Sequence, residues 1–224
     1  ERNVSLFLHH KEGHRLPVSV KVSPLQNREG EIVGAVEIFS DNSKLDRSIR
    51  KIKKLESQAF RDPLTSVMNR RYANTFISMK LDEMRALDLP PLGILFLDID
   101  HFKDFNDSFG HLEGDKILVG IGRVLKPLLR KMDSAYRYGG EEFTVILPET
   151  DGNEALTVAQ RIRRAVKAET FMPEGSRVPV SITISLGVTQ YYPKEEISDF
   201  IQRADKALYG SKEEGRDKVS AIFT

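Results

Sequence analysis

Residues 136–147 read Tyr-Arg-Tyr-Gly-Gly-Glu-Glu-Phe-Thr-Val-Ile-Leu. Two β-type runs flank the Gly-Gly pair. That pattern predicts a hairpin, because glycine accepts positive φ without a Cβ clash. Glu141 and Glu142 follow the turn directly. Two adjacent carboxylates repel each other, and a bound divalent cation removes that cost. Mg²⁺ favours such oxygen ligands beside substrate phosphates. Taken alone, Gly-Gly-Glu-Glu fits a solvated acidic turn equally well.

A second stretch shifts the balance. Residues 94–107 read Ile-Leu-Phe-Leu-Asp-Ile-Asp-His-Phe-Lys-Asp-Phe-Asn-Asp. The apolar run predicts a buried strand ending in Asp98 and Asp100, which share a face if the strand continues. A carboxylate at the end of a buried strand is desolvated unless a cation faces it. Two acidic constellations, each tied to a strand end, point to a metal-phosphate site.

Composition narrows the function class. The chain has 224 residues, enough for a sizeable core and room for a second. Its 34 basic and 33 acidic residues leave a formal net charge of +1, so no global field argues for nucleic acid or a membrane surface. With no cysteine, disulfides, zinc-thiolate sites and thiol catalysis are excluded. No apolar run is long enough to predict a membrane span. The opening Glu1-Arg2-Asn3 is not a signal peptide and reads as the start of a piece cut from something longer. A cytoplasmic location is expected, with the full-length protein free to be membrane-tethered.

Three regions follow along the chain. Residues 4–10, 15–25 and 31–39 predict three antiparallel strands, with Val18, Val20 and Val22 on one face and Ser19 and Lys21 on the other. Such a sheet has little core of its own. His9, His10 and His14 read as surface polar residues near a turn, since no carboxylate pair or Cys joins them. Residues 43–60 predict a charged helix. Leu45, Ile49, Ile52 and Ala59 fit a heptad seam, interrupted by Glu56, and Lys44, Arg47, Arg50, Lys51, Lys53 and Lys54 are basic. No aromatic residues interleave that basic run, which argues against nucleic-acid binding. The remainder alternates helices and strands. Helices are predicted over 111–131, 153–167 and 196–212, and a strand with one polar face over 178–189. That order suits an α+β fold: a ferredoxin-like palm with a central, mainly antiparallel sheet and helices against it.

Six ordered motifs carry a family resemblance. They are Asp62-Pro63-Leu64-Thr65 with Asn69-Arg70-Arg71; Asp98-Ile99-Asp100-His101-Phe102-Lys103; Asn106 with Phe109-Gly110-His111 and Gly114-Asp115; Arg137-Tyr138-Gly139-Gly140-Glu141-Glu142-Phe143; Ser185-Leu186-Gly187-Val188; and Ala204-Asp205-Lys206-Ala207-Leu208-Tyr209 with Lys212 and Gly215-Arg216. Over about residues 60–218 the chain resembles a GGDEF-family diguanylate cyclase. Residues 10–18 and 29–41 resemble the last three strands of a PAS sensor domain, without its ligand-binding first half. The implied layout is a PAS-like part over 1–42, a signalling helix over 43–60 and a GGDEF domain over 61–224.

The resemblance implies condensation of two GTP into cyclic di-GMP and pyrophosphate by a homodimer, one GTP per domain. It implies Mg²⁺, with Mn²⁺ as a substitute, held in a two-metal arrangement by Asp98, the Ile99 carbonyl, Glu141 and Glu142. Glu141 or a metal-bound hydroxide takes the proton of the ribose 3′-hydroxyl. Lys103, Lys212 and Arg216 neutralise phosphate charge, and the backbone at Phe102 and Lys103 donates to it. Asn106 and Asp115 read the guanine edge. His111 lies between them and is carried over as a ligand, though a structural helix-start role fits it equally well. Arg130 and Asp133 form the Arg-x-x-Asp inhibitory site for cyclic di-GMP, with Arg161 assisting. The alternative is a catalytically weak relative that senses cyclic di-GMP or GTP. Neither nucleic acid nor, for this fragment, membrane is an expected partner.

Overall fold

The computed structural model describes residues 2–87 and 91–223. The chain divides into two compact units, Glu1–Ala59 and Phe60–Thr224.

In the first unit, strands β1 (Arg2–His9), β2 (Arg15–Gln26) and β3 (Ile32–Asp41) form an antiparallel meander in the order β1-β2-β3. The predicted alternation holds: Val18 and Val20 are buried, whereas every residue of β3 is exposed. Helix α1 (Ser43–Phe60) follows, with Leu45, Ile49 and Ile52 of the heptad seam solvent-exposed. The side chains of Arg50, Lys53, Lys54 and Glu56 lie outside the described residues.

The second unit is built on a six-stranded sheet. Its strands are β4 (Met68–Asn69), β5 (Leu92–Ile99), β6 (Ser134–Arg137), β7 (Glu142–Pro148), β10 (Ile184–Gln190) and β11 (Val219–Ala221), in the order β11-β10-β5-β7-β6-β4. The four central strands pair antiparallel, and the short edge strands β4 and β11 pair parallel. The helices are α2 (Arg70–Leu87), α3 (Phe102–Phe109), α4 (His111–Leu128), α5 (Gly152–Ala168) and α6 (Ile197–Glu213).

Strand periodicity explains the layering. In β5, Leu95, Leu97 and Ile99 join one cluster with Ile117, Ile121 and Leu125 of α4 and Ala155, Ala159 and Ile162 of α5. Leu92, Ile94 and Phe96 point the other way, into a cluster with Ala73, Ile77 and Leu81 of α2 and Phe200, Ala204 and Leu208 of α6. The sheet is therefore covered on both faces, which is why β5 reads as a continuous apolar run. Helix α5 starts on a capping box: the Asp151 side chain accepts from the Glu154 N–H, and the Glu154 side chain accepts from the Asp151 N–H.

Two predicted elements differ from those observed. The strand expected over 178–189 is broken at Ile182-Thr183. Its first part, β9 (Val180–Ser181), pairs instead with β8 (Thr170–Phe171). The helix expected to reach residue 131 stops at Leu128, because Leu129 adopts an extended conformation. Arg130 is consequently a loop residue, hydrogen-bonded to Asp133 across a tight turn.

Candidate active site

Strand parity places Asp98 on the α6 side of the sheet, in line with Ile94 and Phe96. Its cross-strand neighbours are Glu142 on β7 and Ser185 on β10. Lys212, one helical turn beyond Leu208, reaches over this face and pairs with Asp98 at 2.9 Å. The Asp98 side chain is only 7% exposed. Burial pushes its carboxyl above the usual range; Lys212 opposes that, Asp100 adds to it, and Arg216 opposes it again. Burial likewise raises the half-buried Glu141, reinforced by the charge of Asp98, relieved by Lys212 and reinforced again by Glu142. The acidic groups of the two sequence constellations thus face each other at one end of the sheet.

Asp98 and Asp100 have different fates. Strand β5 ends at Ile99, so Asp100 sits in the following turn. Its carboxylate accepts from Thr183 Oγ1 at 2.8 Å, Ser185 Oγ at 2.6 Å and the Asp217 N–H at 3.0 Å. The Asp217 side chain in turn accepts from Arg163 and Lys167, each at 2.5 Å. Gly215, Arg216 and Asp217 all have positive φ, an unfavourable run that the Asp100 bond helps to hold. Asp100 is therefore the centre of a knot that fixes the loop carrying Arg216.

The Gly-Gly turn also departs from expectation. Neither Gly139 nor Gly140 has a positive φ. A Cβ at Gly139 would lie 2.3 Å from Glu142 Oε2, the far end of a side chain, so the glycine lets Glu142 keep this rotamer. Arg137 straps the turn. Its Nη2 donates to the Gly140 carbonyl at 2.7 Å, and its Nη1 lies 3.3 Å from Asp62 Oδ1. Asp62 also accepts from the backbone and the hydroxyl of Thr65. Burial pushes the Asp62 carboxyl up, but the Thr65 bonds and the Arg137 charge outweigh it and hold it below the usual range.

The proposed nucleotide-reading residues surround the α3–α4 elbow, which turns at Gly110 with φ 85°. Phe102 is buried at the start of α3, whereas Lys103 beside it is exposed. Asn106 Oδ1 is buried without a hydrogen-bond partner. Gly114 makes room for it, since a Cβ would fall 1.9 Å from that oxygen. His111 and Asp115 are exposed and four residues apart in the first turns of α4, on one helix face. Arg130 and Asp133 lie past the other end of α4, whose 18 residues span about 27 Å. They line a cavity of about 800 Å³ together with Arg61, Arg123, Lys126 and Lys131. Asp133 Oδ1 is buried without a partner. Arg161, on α5, donates to the Leu128 carbonyl at 2.7 Å, at the base of this loop.

Sequence reasoning missed the Asp62–Arg137–Gly140 strap and the Asp100–Thr183–Ser185–Asp217 knot. Asp62, Arg137, Asp100 and Ser185 all fall within the quoted motifs, but their pairing across 75 and 85 residues leaves no local signal.

The sequence profile of a family described as "Diguanylate cyclase, GGDEF domain" matches residues 59–218. Diguanylate cyclase A of Treponema denticola is 44% identical over 130 residues, covering 58% of this chain and 34% of its own. The chain spans less than half the length of the curated relatives it matches, between 24% and 46% for three of them. Among solved structures, the coiled coil and GGDEF domain of DgcB from Caulobacter crescentus, in complex with c-di-GMP, superposes with a TM-score of 0.75 at 29% identity. That match covers 81% of this chain and 95% of the other. The active GGEEF domain of a diguanylate cyclase from Vibrio cholerae, also 29% identical, superposes with a TM-score of 0.63, covering 68% of this chain and 96% of that one.

Proposed function

Because the chain belongs to the GGDEF diguanylate cyclase family, we propose that it condenses two GTP into cyclic di-GMP and two pyrophosphates. The carrying observation is the gathering of Asp98, Glu141 and Glu142 at one sheet end, with Lys212 against Asp98. Burial holds the protons of Asp98 and Glu141 more tightly than usual, and with Glu142 beside them this crowded set of carboxyl oxygens suits a hard, oxygen-seeking dication. Asp98, the Ile99 carbonyl, Glu141 and Glu142 would hold Mg²⁺, or Mn²⁺ in its place. When bound, the metal supplies charge neutralisation at the triphosphate and activation of the attacking oxygen.

The chain's own residues do the rest. Lys103, Lys212, Arg216 and the backbone at Phe102 and Lys103 bind the triphosphate. Glu141 takes the proton as the ribose 3′-oxygen of one GTP bonds to the α-phosphorus of the other and the bond to pyrophosphate breaks. Asn106 Oδ1 is a buried acceptor in want of a donor, and guanine offers the N1–H and the N2 amine. Asp115 accepts from the same edge, and His111 stands beside it. Each domain holds one GTP, so two chains must face each other. The exposed seam of α1 supports pairing in a homodimer, with a PAS-like part over 1–42 upstream and the cyclase over 61–224. Incubation with GTP and Mg²⁺ followed by product separation tests this reading: cyclic di-GMP that disappears with EDTA is expected, whereas bound but unconverted GTP would mean a sensor.

Base choice gives a second check. Asp115→Ser removes a carboxylate that only a guanine edge satisfies, and such bonds support large discrimination. The preference for GTP over ATP should fall at least about tenfold in competition assays. An unchanged preference would remove Asp115 from base reading.

The same reading assigns product feedback to Arg130 and Asp133, with Arg161 holding the loop. Five cations around one acid suit an anionic ligand, and Asp133 Oδ1 is free to accept from guanine. Arg130→Ala should leave initial rates intact but keep activity going at cyclic di-GMP concentrations that silence the parent. Equal sensitivity in both proteins would reduce this motif to a charged loop.

A further inference from the structure

The first unit carries a cluster that the cyclase reading leaves unused. The β1–β2 hairpin turns through residues 10–14. The His10 N–H donates to the His14 carbonyl at 2.8 Å, and the Gly13 N–H donates to the His10 carbonyl at 2.9 Å. Gly13 has φ +86°, the left-handed conformation that closes such a three-residue loop. This closure puts His10 and His14 side by side. Their rings stack at 4.3 Å, with 25° between the planes. Glu12, at the apex, folds back so that Oε2 lies 3.8 Å from His10 Nδ1.

We propose that His10, Glu12 and His14 form a binding site for a borderline transition dication, Zn²⁺ above all. Each residue offers one donor atom, and the three atoms lie within 4.8 Å of one another. A tetrahedral zinc with bonds of about 2.0–2.1 Å needs ligands about 3.3 Å apart. Closing the difference takes side-chain rotation alone, because the backbone is already held by the turn. The Glu12 side chain is 71% exposed and free to rotate. Two imidazoles and one carboxylate are a recurrent zinc donor set, leaving a fourth position for water. Imidazole nitrogen selects against Mg²⁺, so this site and the carboxylate site of the second unit would take different metals. Sequence spacing showed neither a carboxylate pair nor a cysteine near these histidines; the turn supplies one carboxylate between two of them. His9 lies outside the group.

The test uses the whole metal-free chain. Zn²⁺ is titrated in competition with a chromogenic chelator, and histidine ring resonances are followed by NMR. The expected result is zinc binding that shifts the rings of His10 and His14 and leaves His9, His101 and His111 in place. Replacing both His10 and His14 by Ala should weaken that binding at least about tenfold, and Glu12→Gln should weaken it less. Glu141→Gln should bind zinc at the hairpin as the parent does, which separates this site from the carboxylate site. The tip is exposed, so the variants should keep the parent's β1–β2 amide spectrum. Unmoved His10 and His14 rings, or a double variant that binds zinc as tightly as the parent, would overturn the proposal.

Discussion

Glu141→Gln is expected to lower the rate of cyclic di-GMP formation by about 10³-fold or more, while leaving the fold unchanged. The substitution is nearly isosteric. It removes a metal oxygen and a proton acceptor at once, and acid–base catalysis alone contributes about 10²–10⁴-fold. The half-buried Glu141 is pressed by burial and by the charge of Asp98, so a neutral amide also relieves Asp98. The variant should therefore be at least as stable as the parent. Comparing single-turnover rates under saturating GTP and Mg²⁺ with thermal unfolding followed by circular dichroism separates the two effects. Near-parental turnover would show that the metal and base assignments are wrong.

Gly187→Ala should produce the largest loss of stability, about 3 kcal/mol, the upper end for overpacking a close contact. A Cβ at Gly187 would lie 2.2 Å from both the Ala204 carbonyl oxygen and the Leu208 nitrogen. Those are backbone atoms of α6, so no rotamer change relieves the clash, and α6 must lift from β10. Gly140→Ala is the control, because a Cβ there meets nothing within 4 Å. A shifted urea midpoint for Gly187→Ala beside an unshifted Gly140→Ala is the expected pair. Equal midpoints would mean that α6 does not sit this close to the sheet.

The strands and helices were legible because their periodicities are clean. The run 94–99 announced a buried strand, and the stripe Ile117, Ile121 and Leu125 announced the buried face of α4. The clustering of Asp98 with Glu141 and Glu142 was legible because like charges at two strand ends need a reason. What stayed hidden depends on atoms meeting across long separations. Glycine at 139 read as a conformational requirement, whereas its φ is not positive and it lies instead against the Glu142 carboxylate. Asp98 and Asp100 read as a pair, yet termination of β5 sends the second into a hydrogen-bond knot. The break at Ile182-Thr183 was invisible because alternation continues through it.

That knot bears on how the second unit can be recombined. Asp100 receives hydrogen bonds from β10 and from the loop after α6, and that loop is anchored in turn to α5 through Arg163 and Lys167. A chimera that imports residues 94–107 from a distant relative, but keeps the recipient's Thr183, Ser185 and Asp217 positions, would import one half of a buried lock. Where the imported block lacks an acid at position 100, the Thr183 and Ser185 hydroxyls and the Asp217 N–H would be left without their acceptor. Crossovers that preserve function should fall where the exchanged block carries all four positions together or none of them.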